Sequence, residues 1–302
     1  MGARWIGVDW GTTHVRAWLL DDAGEVVETR RDDRGMGRLA GDSGAFAQAY
    51  DELVAGWPCL PALACGMVGA RQGWREAAYV PVPTRLEDLA RHAVTATSAA
   101  GRALAILPGL AQAEPCDVMR GEETKLVGLS LVAPEVVSAG TAVLPGTHSK
   151  HVGLEGGRVA RFRSVFTGEL FEVLGRHSIL RLSLEGAEGV DDSAFATAVV
   201  EAADMRAGDL TAAFFNLRAR SLLGEPGPEA LRGRLSGLLI GAELALVDTA
   251  RPVALIGSGA LTAPYLAGFG ALGRPAPLLF DGEELVRRAL ARLAPMVAGA
   301  GR

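Results

Sequence analysis

The sequence contains few cysteines and no concentrated block of basic residues. Its three cysteines, Cys59, Cys65 and Cys116, fit neither a disulfide framework nor paired metal-ligand spacing. Buried, reduced thiols are therefore expected, and they favour a cytoplasmic protein. The net charge is -5, from 35 acidic and 30 basic residues, and no basic run lies beside stacking aromatic residues. A nucleic-acid partner is not expected, because binding to phosphates needs clustered positive charge.

The sequence also lacks a clear export or membrane segment. Asp9 comes too early to leave room for the apolar core of a signal peptide, so secretion is not expected. The stretch 252–272 carries no charged residue and has about the length of a ~20-residue membrane helix. It contains Pro252, Pro264 and several glycines, which favour a buried strand, a tight turn and a helix instead.

Hydrophobic patterns predict an α/β protein that begins with a three-stranded meander. An apolar run at 5–9 and alternation over 15–20 predict two strands, and a turn at 21–24 predicts a third over 25–30. A second meander is predicted from residue 141, with a loop at 145–149. Because the two units resemble each other, an internal duplication is expected. A length of 302 residues favours two lobes, since single cores usually stop growing at ~250–300 residues.

Two glycine-threonine loops in these meanders are candidates for phosphate binding. Backbone N–H groups in tight glycine turns and threonine hydroxyls donate to phosphate oxygens without bringing bulk close. The first loop consists of Gly11, Thr12 and Thr13. The second loop consists of Gly146, Thr147, His148 and Ser149. Asp9 precedes the first loop and is suited to hold Mg²⁺ through water. A single such turn is equally an ordinary Asx-type turn, whereas a matched pair favours a triphosphate site.

The P-loop sequence G-x-x-x-x-G-K-[ST] is absent, so a nucleotide site has to be built from these hairpins. Glu122 and Glu123 lie between the hairpins at the predicted start of a helix. Phosphoryl transfer to an alcohol needs one positioned carboxylate to accept the hydroxyl proton. The alternative is that both glutamates only complement the helix dipole, an effect of about 0.3–1 kcal/mol.

Two further glycine-rich segments are candidate ligand contacts. The segment Gly257, Ser258 and Gly259 follows a buried strand and precedes a helix, where adenine or ribose can approach the backbone. The loop residues Arg71, Gln72 and Trp74 follow an apolar strand. Arg71 can hold a carboxylate through paired hydrogen bonds, or it can be an ordinary surface arginine. His148 and His177 are not expected to bind metal, because no second ligand stands at i+4.

Six sequence blocks are specific enough to indicate a family. They are VDWGTTHVRAWLL (8–20), CGMVGARQGW (65–74), DVMRGEET (117–124), LPGTHSKHV (144–152), FTGELFEVL (166–174) and SGLLIGAE (236–243). Over nearly its whole length the chain resembles the 2-dehydro-3-deoxygalactonokinase family, in the superfamily of sugar kinases, heat-shock proteins and actin. That resemblance implies an α/β, two-lobed actin/hexokinase-like (ribonuclease H-like) fold with duplicated β-sheet cores and a central cleft.

The resemblance also implies a domain plan and a reaction. The expected plan is an N-terminal lobe over 1–112, a C-terminal lobe over 113–280, and a C-terminal helix over 281–302 that packs back on the first lobe. The expected reaction is phosphorylation of 2-dehydro-3-deoxy-D-galactonate at its 6-hydroxyl by MgATP, in galactonate catabolism.

By the same resemblance, the two glycine-threonine loops hold the phosphates of ATP, Asp9 contacts the metal and 257–259 is the adenosine loop. Glu122 is the preferred base, with Glu123 as the fallback, although related kinases often have Gly-Asp where this chain has Gly121-Glu122. His151 is a second departure, because an aromatic residue is expected there.

Two alternatives stay open at this point. The chain can phosphorylate another sugar or sugar acid of the same superfamily, which only the pocket decides. It can also be an actin-like ATPase without a small acceptor, although 302 residues leave no room for a substrate-binding appendage. The expected partners are ATP and a sugar acid, with no nucleic acid and no membrane, and a homo-oligomer is left open.

Overall fold

A computed structural model describes residues 2–224 and 226–300 of the chain, with side chains described up to residue 298. The chain forms two compact units. The first comprises the residues up to 139, together with 152–162 and the residues from 280 onward. The second comprises 140–151 and 163–279.

The chain alternates between strands and helices, as the hydrophobic patterns predict. The strands are β1 (Ala3–Trp10), β2 (Val15–Asp21), β3 (Val26–Asp32), β4 (Ala62–Gly66), β5 (Val80–Pro81), β6 (Thr84–Arg85), β7 (Val94–Thr97), β8 (Ala103–Ile106), β9 (Leu110–Gln112), β10 (Asp117–Met119), β11 (Gly140–Leu144), β12 (Ser149–Glu155), β13 (Arg158–Val165), β14 (Val253–Ile256) and β15 (Leu278–Phe280).

The helices are α1 (Met36–Leu39), α2 (Ser43–Leu53), α3 (Glu122–Val132), α4 (Pro134–Ala139), α5 (Thr167–His177), α6 (Arg181–Leu184), α7 (Asp192–Ala203), α8 (Ala207–Leu222), α9 (Pro228–Leu244), α10 (Gly259–Ala271) and α11 (Gly282–Ala300). Two 3₁₀ helices cover Met67–Gly69 and Leu86–His92.

A six-stranded sheet with the order β3-β2-β1-β4-β8-β7 forms the centre of the first unit. The β1–β2–β3 meander is antiparallel, and β4 pairs in parallel with both β1 and β8. Alternate residues of β1 point to opposite faces. Ile6, Val8 and Trp10 lie in the hydrophobic core on one face, where the Trp10 ring packs on Phe46 of α2 with centroids 5.2 Å apart.

The opposite face of this sheet is covered by α11. A Cβ at Gly7 of β1 would lie 3.2 Å from Leu290 Cδ1 of α11, so the helix approaches the strand closely. The same helix crosses α3 at a glycine, because a Cβ at Gly128 would lie only 2.1 Å from the Leu285 carbonyl oxygen. The centre of the sheet at β1 is therefore covered on both sides, whereas the edge strand β3 is mostly exposed. A separate small sheet has the order β10-β9-β5.

The third sheet has the strand order β15-β14-β11-β12-β13-β6, and β11 pairs in parallel with β14 in the second unit. Helices α7 and α9 of the second unit pack backbone to backbone. Gly233, Gly237 and Gly241 recur every four residues on one face of α9. A Cβ at any of them would come within 2.3–2.5 Å of a carbonyl oxygen, from Asp191, Phe195 or Val199. Small residues at this spacing are what allows the close crossing.

The α/β fold class expected from the sequence is confirmed, but the division of the chain differs from the expected boundaries. The first unit continues past residue 112 to 139, because α3 packs against α11 and against the 3₁₀ helix Leu86–His92. The charge-free stretch 252–272 forms β14 and α10, with Pro264 inside the helix. Within 2–224 and 226–300, no helix is both long and apolar enough to span a bilayer.

Candidate active site

The first glycine-threonine loop joins β1 to β2 and is held from behind by segment 35–37. The carbonyl oxygens of Gly11, Thr12 and Thr13 accept hydrogen bonds from the backbone N–H groups of that segment at 2.8–3.1 Å. Gly35 permits this contact, since a Cβ there would lie 2.4 Å from the Thr12 carbonyl oxygen. Thr12 and Thr13 are exposed. The carbonyl oxygens of the loop are therefore hydrogen-bonded within the protein, whereas its threonine side chains face solvent.

Asp9 lies at the end of β1, immediately before this loop. Its Oδ2 accepts a hydrogen bond from Arg16 Nη2 at 3.1 Å, and Arg16 also pairs with Glu283 of α11. Glu283 binds a second cation, Arg31, at 2.9 Å. The sequence analysis missed this chain of charges, because Arg16 and Glu283 are far apart in sequence. The Asp9 carboxylate is thereby fixed in place, with its side chain 18% exposed.

Two glycines with positive φ bring the start of α3 to the ends of β1 and β4. Gly66 has φ 87°, and a Cβ there would lie 2.6 Å from the Trp10 carbonyl oxygen and 3.6 Å from Asp9 Oδ1. Gly121 has φ 103°, and its Cβ position lies 3.5 Å from Gly66 Cα. Side chains at these positions would be strained and would separate the elements. Asp9 and the glutamates of α3 therefore lie in one region of the first unit.

The two glutamates at the start of α3 have different environments. Glu123 is fully buried, and its carboxylate accepts hydrogen bonds from the Gly121 N–H at 2.7 Å and the Thr124 hydroxyl at 3.0 Å. Burial, with the charge of Glu122 as a second cause, raises the pKa of Glu123 from 4.5 to about 7. Glu122 is only half-buried, and its Oε2 accepts from the Arg120 backbone N–H at 3.1 Å. Glu122 is thus the glutamate that a ligand can reach.

The loop that follows β4 separates its three predicted residues. Arg71 and Gln72 are exposed. Trp74 is buried and packs on Tyr50, with ring centroids 5.7 Å apart, so it belongs to the core of the first unit. The backbone of this loop is tight, because a Cβ at Gly73 would lie 2.3 Å from the Val68 carbonyl oxygen. The loop therefore presents Arg71 and Gln72 from a closely packed backbone.

Arg120 is a candidate site residue that the sequence analysis missed. Its guanidinium stacks on the Tyr79 ring at 4.4 Å and donates to the Ala77 carbonyl oxygen at 2.9 Å. Nε and Nη1 are buried, with no hydrogen-bond partner among the residues that the structure describes. Nη1 lies 2.9 Å from the Cβ position of Gly69, in the loop after β4. Arg120 thus brings a positive charge close in sequence to the glutamate pair. Its position in the block DVMRGEET could have identified it as a candidate site residue.

The second glycine-threonine loop joins β11 to β12 and is clamped by the start of α5. The Thr147 carbonyl oxygen accepts from the Glu169 N–H at 2.9 Å, and a Cβ at Gly168 would lie 2.3 Å from the Gly146 carbonyl oxygen. His148 hydrogen-bonds the Glu169 carboxylate. Ser149 is fully buried, and its Oγ lies 2.9 Å from the Tyr265 hydroxyl. As in the first loop, carbonyl oxygens face the protein.

The segment Gly257–Gly259 joins β14 to α10 and lies beside a cavity of about 250 Å³ in the second unit. The cavity is mostly apolar, and its lining includes Gly146, Phe171, Ile240, Leu261, Pro264 and Tyr265. It therefore brings the second loop together with the first residues of α10. Cavities of about 380 and 340 Å³ elsewhere in the two units are lined by none of the predicted site residues.

The α/β architecture, with a glycine-threonine loop in each of two repeated meanders, is that of the actin/hexokinase-like fold class. Similarity to a solved structure supports this fold. The ADPNP-bound activator of 2-hydroxyisocaproyl-CoA dehydratase from Clostridium difficile superposes with a TM-score of 0.51 over 98% of this chain and 96% of its own, at 12% identity. A family model described as 2-keto-3-deoxy-galactonokinase matches residues 9–293. The chain belongs to the 2-keto-3-deoxy-galactonokinase family.

Similar proteins carry the same name. A probable 2-dehydro-3-deoxygalactonokinase of Rhizobium meliloti strain 1021 is 39% identical over 274 residues, covering 88% of this chain and 85% of the relative. The 2-dehydro-3-deoxygalactonokinase of Escherichia coli K12 is 35% identical over 281 residues, covering 90% and 91%. A crystal structure from Sinorhizobium meliloti, assigned as a 2-dehydro-3-deoxygalactonokinase, has a TM-score of 0.87 at 35% identity and covers 97% of this chain and 99% of its own.

Proposed function

We propose that this enzyme transfers the terminal phosphate of ATP to the 6-hydroxyl of 2-dehydro-3-deoxy-D-galactonate, in the galactonate catabolism of the cytoplasm. The observation that carries the proposal is the grouping of Asp9, the first loop and Glu122 at the ends of β1 and β4 in a chain of this family. Phosphoryl transfer needs phosphate ligands, a metal contact and one positioned carboxylate, and this region supplies each of them.

The two glycine-threonine loops are the proposed phosphate contacts. Three carbonyl oxygens of the first loop, and the Thr147 carbonyl oxygen of the second, accept hydrogen bonds from a neighbouring segment. The exposed hydroxyls of Thr12, Thr13 and Thr147 are then left for an anion. The proposed adenosine site is the segment Gly257–Gly259 with the apolar cavity that begins at the next residues, Ala260 and Leu261. An apolar cavity of this kind suits a flat nucleobase.

Glu122 is the proposed general base. In the transfer step, the 6-hydroxyl oxygen bonds to the terminal phosphorus, the bond from that phosphorus to the ADP oxygen breaks, and the hydroxyl proton passes to Glu122. Glu123 is less suited to this role, because its side chain is fully buried and both of its oxygens already accept hydrogen bonds. We propose that Glu123 holds the start of α3 in position for Glu122.

Asp9 is the proposed Mg²⁺ contact. The donor set fits the ion, since Mg²⁺ in phosphotransferases is held by one or two carboxylates together with waters and substrate phosphates. One Asp9 oxygen is bound by Arg16, and the carboxylate is partly exposed beside the first loop. When bound, Mg²⁺ would neutralise charge on the phosphates.

Arg71 is the proposed contact for the carboxylate of the sugar acid, with Gln72 beside it. Both side chains are exposed on a tight loop, and a guanidinium binds a carboxylate in a bidentate manner. Trp74 supports this loop from the core through its packing on Tyr50.

An acceptor panel tests the proposal. The enzyme is incubated with MgATP and either 2-dehydro-3-deoxy-D-galactonate, its C4 epimer, gluconate, xylulose or glycerol, and ADP release is followed in a coupled assay. We expect the largest kcat/KM with 2-dehydro-3-deoxy-D-galactonate, one 6-phosphate formed per ADP, and very slow ADP release without acceptor. A larger kcat/KM with another acceptor would reassign the substrate. ADP release at the same rate with and without an acceptor would refute the kinase activity.

A further inference from the structure

Four buried polar side chains form one connected network in the second unit. Ser149 Oγ lies 2.9 Å from the Tyr265 hydroxyl, which donates to Glu243 Oε2 at 2.6 Å, and Glu243 Oε1 lies 2.8 Å from His151 Nε2. The four residues are 0–8% exposed. They connect β12, α9 and α10 beside a hydrophobic core. Buried polar groups are costly unless they are paired, so the presence of this network in the interior needs a reason.

The direction of the hydrogen bonds follows from the number of protons. A carboxylate only accepts, so Glu243 takes the single proton of the Tyr265 hydroxyl. Burial, and next the charge of Glu243, raise the pKa of Tyr265, which keeps that proton in place. Tyr265 can then only accept from Ser149, whose hydroxyl must donate to it. The proton of Ser149 is therefore committed to the protein and is not available to a phosphate oxygen.

The other end of the network is anchored by His151. Its Nε2 donates to Glu243 Oε1, and its Nδ1 is buried without a partner among the described residues. The sequence analysis noted His151 only as a departure from an expected aromatic residue, and the structure gives it a contact: it closes the network on Glu243.

The network joins two parts of the proposed nucleotide site. Ser149 ends the second phosphate loop, whereas the Tyr265 ring lines the apolar cavity of about 250 Å³ together with Gly146 and Thr167. Tyr265 lies on α10, which follows the segment Gly257–Gly259 directly. Its hydroxyl contacts both the loop, through Ser149, and helix α9, through Glu243.

We infer that Tyr265 is a positioning residue for the nucleotide, because its hydroxyl fixes the Ser149 end of the second phosphate loop relative to the apolar cavity. The loop and the cavity then bind the phosphate and the base of one nucleotide without first having to be ordered. In this arrangement the buried Ser149 hydroxyl does not bind phosphate but holds the loop by its hydrogen bond to Tyr265. The inference rests on the proposed use of a nucleotide but not on the identity of the sugar acid.

The test is a set of single-atom or single-group deletions. Tyr265→Phe removes only the hydroxyl oxygen and keeps the ring in the cavity, and Ser149→Ala removes the hydroxyl on the loop side. Ser183→Ala is the matched control, since Ser183 is a buried serine of the same unit whose hydroxyl accepts from Arg218 at 3.3 Å. MgADP affinity is measured by isothermal titration calorimetry, and KM is measured separately for ATP and for the sugar acid.

We expect Tyr265→Phe to bind MgADP about tenfold more weakly, the size of about one net hydrogen bond. The KM for ATP should rise in parallel, while the KM for the sugar acid at saturating ATP stays within about twofold. Ser149→Ala should weaken MgADP binding in the same direction. The double variant should be no worse than Tyr265→Phe, because that variant already removes the contact between the two hydroxyls together with the one to Glu243. Ser183→Ala should match the unmodified enzyme.

Three results would overturn the inference. They are unchanged MgADP affinity in Tyr265→Phe, equal increases in both KM values, and additive effects in the double variant. If Tyr265→Phe does not fold, Ser149→Ala decides the question by the same binding measurement. An enzyme that binds MgADP but phosphorylates no sugar acid would refute the proposed reaction, whereas the affinities of the variants would still decide the role of Tyr265.

Discussion

Replacing Glu123 with glutamine should change how the stability of the protein depends on pH. Glu123 is fully buried, and its pKa is raised from 4.5 to about 7 by burial and by the charge of Glu122. Between these two values the folded chain holds a proton that the unfolded chain has released. The stability that this proton contributes is therefore fully present below pH 4.5 and is lost as the pH rises through about 7.

The size of the effect follows from the shift. At about 1.4 kcal/mol for each pKa unit, the free energy of unfolding should fall by about 2–3 kcal/mol between pH 5 and pH 8 through Glu123 alone. Glu123→Gln has no titrating proton at this position, so its free energy of unfolding lacks this pH-dependent contribution. The variant should therefore gain stability relative to the unmodified protein as the pH rises, whatever its absolute stability.

Urea unfolding of both proteins at pH 5, 6, 7 and 8 measures this difference. The Glu122→Gln variant is the control, since it keeps the buried carboxyl of Glu123 but removes the neighbouring charge that helps to raise its pKa. Its pH dependence should be smaller than that of the unmodified protein without vanishing. If the free energies of unfolding of the unmodified protein and Glu123→Gln run parallel across the range, the raised pKa assigned to Glu123 is wrong.

Three further predictions concern the site and the packing. Glu122→Gln should keep MgADP affinity within about twofold but lose about 10²–10⁴-fold in kcat, as expected for loss of a general base and measurable by the coupled assay; near-normal kcat would remove Glu122 from that role. Asp9→Asn should raise the Mg²⁺ concentration for half-maximal rate about tenfold or more in a magnesium titration, whereas an unchanged value would argue against a metal contact. Gly128→Ala should destabilise the protein by about 3 kcal/mol in urea, because its Cβ would meet the Leu285 carbonyl oxygen at 2.1 Å. Gly175→Ala, on a helix with only one ordinary contact at 3.8 Å, should be neutral or slightly stabilising, and equal losses in both variants would refute the steric argument.

Patterns that act over a few residues were readable from the sequence. The alternation over 15–20 and the turn at 21–24 predict the meander β1–β2–β3, and the repeat near residue 141 predicts β11–β12–β13. Turn chemistry and strand periodicity depend on a few adjacent residues, so they can be predicted without knowing which distant residues pack against them. The start of a helix at Glu122 was predicted for the same reason.

The boundary between the two units was not readable in this way. Residues 113–139 join the first unit because α3 packs against α11, a helix more than a hundred residues later in the chain. The pattern of α3 shows an apolar face but does not identify the element that covers it. The sequence analysis made no use of Gly66 and Gly121, although a glycine between a strand and a helix often marks a positive φ, as both have here.

The sequence by itself determined which functional groups are present: two glycine-threonine loops, an aspartate at a strand end and a glutamate pair at a helix start. It also determined the family, through the sequence blocks that the family model matches. Only the tertiary structure decided which glutamate is accessible and that the hydroxyl of Ser149 is committed to Tyr265. The physical reason is that accessibility, pKa and proton direction depend on groups brought together from distant parts of the chain. Ser149 meets a tyrosine 116 residues away, and no local pattern encodes that contact.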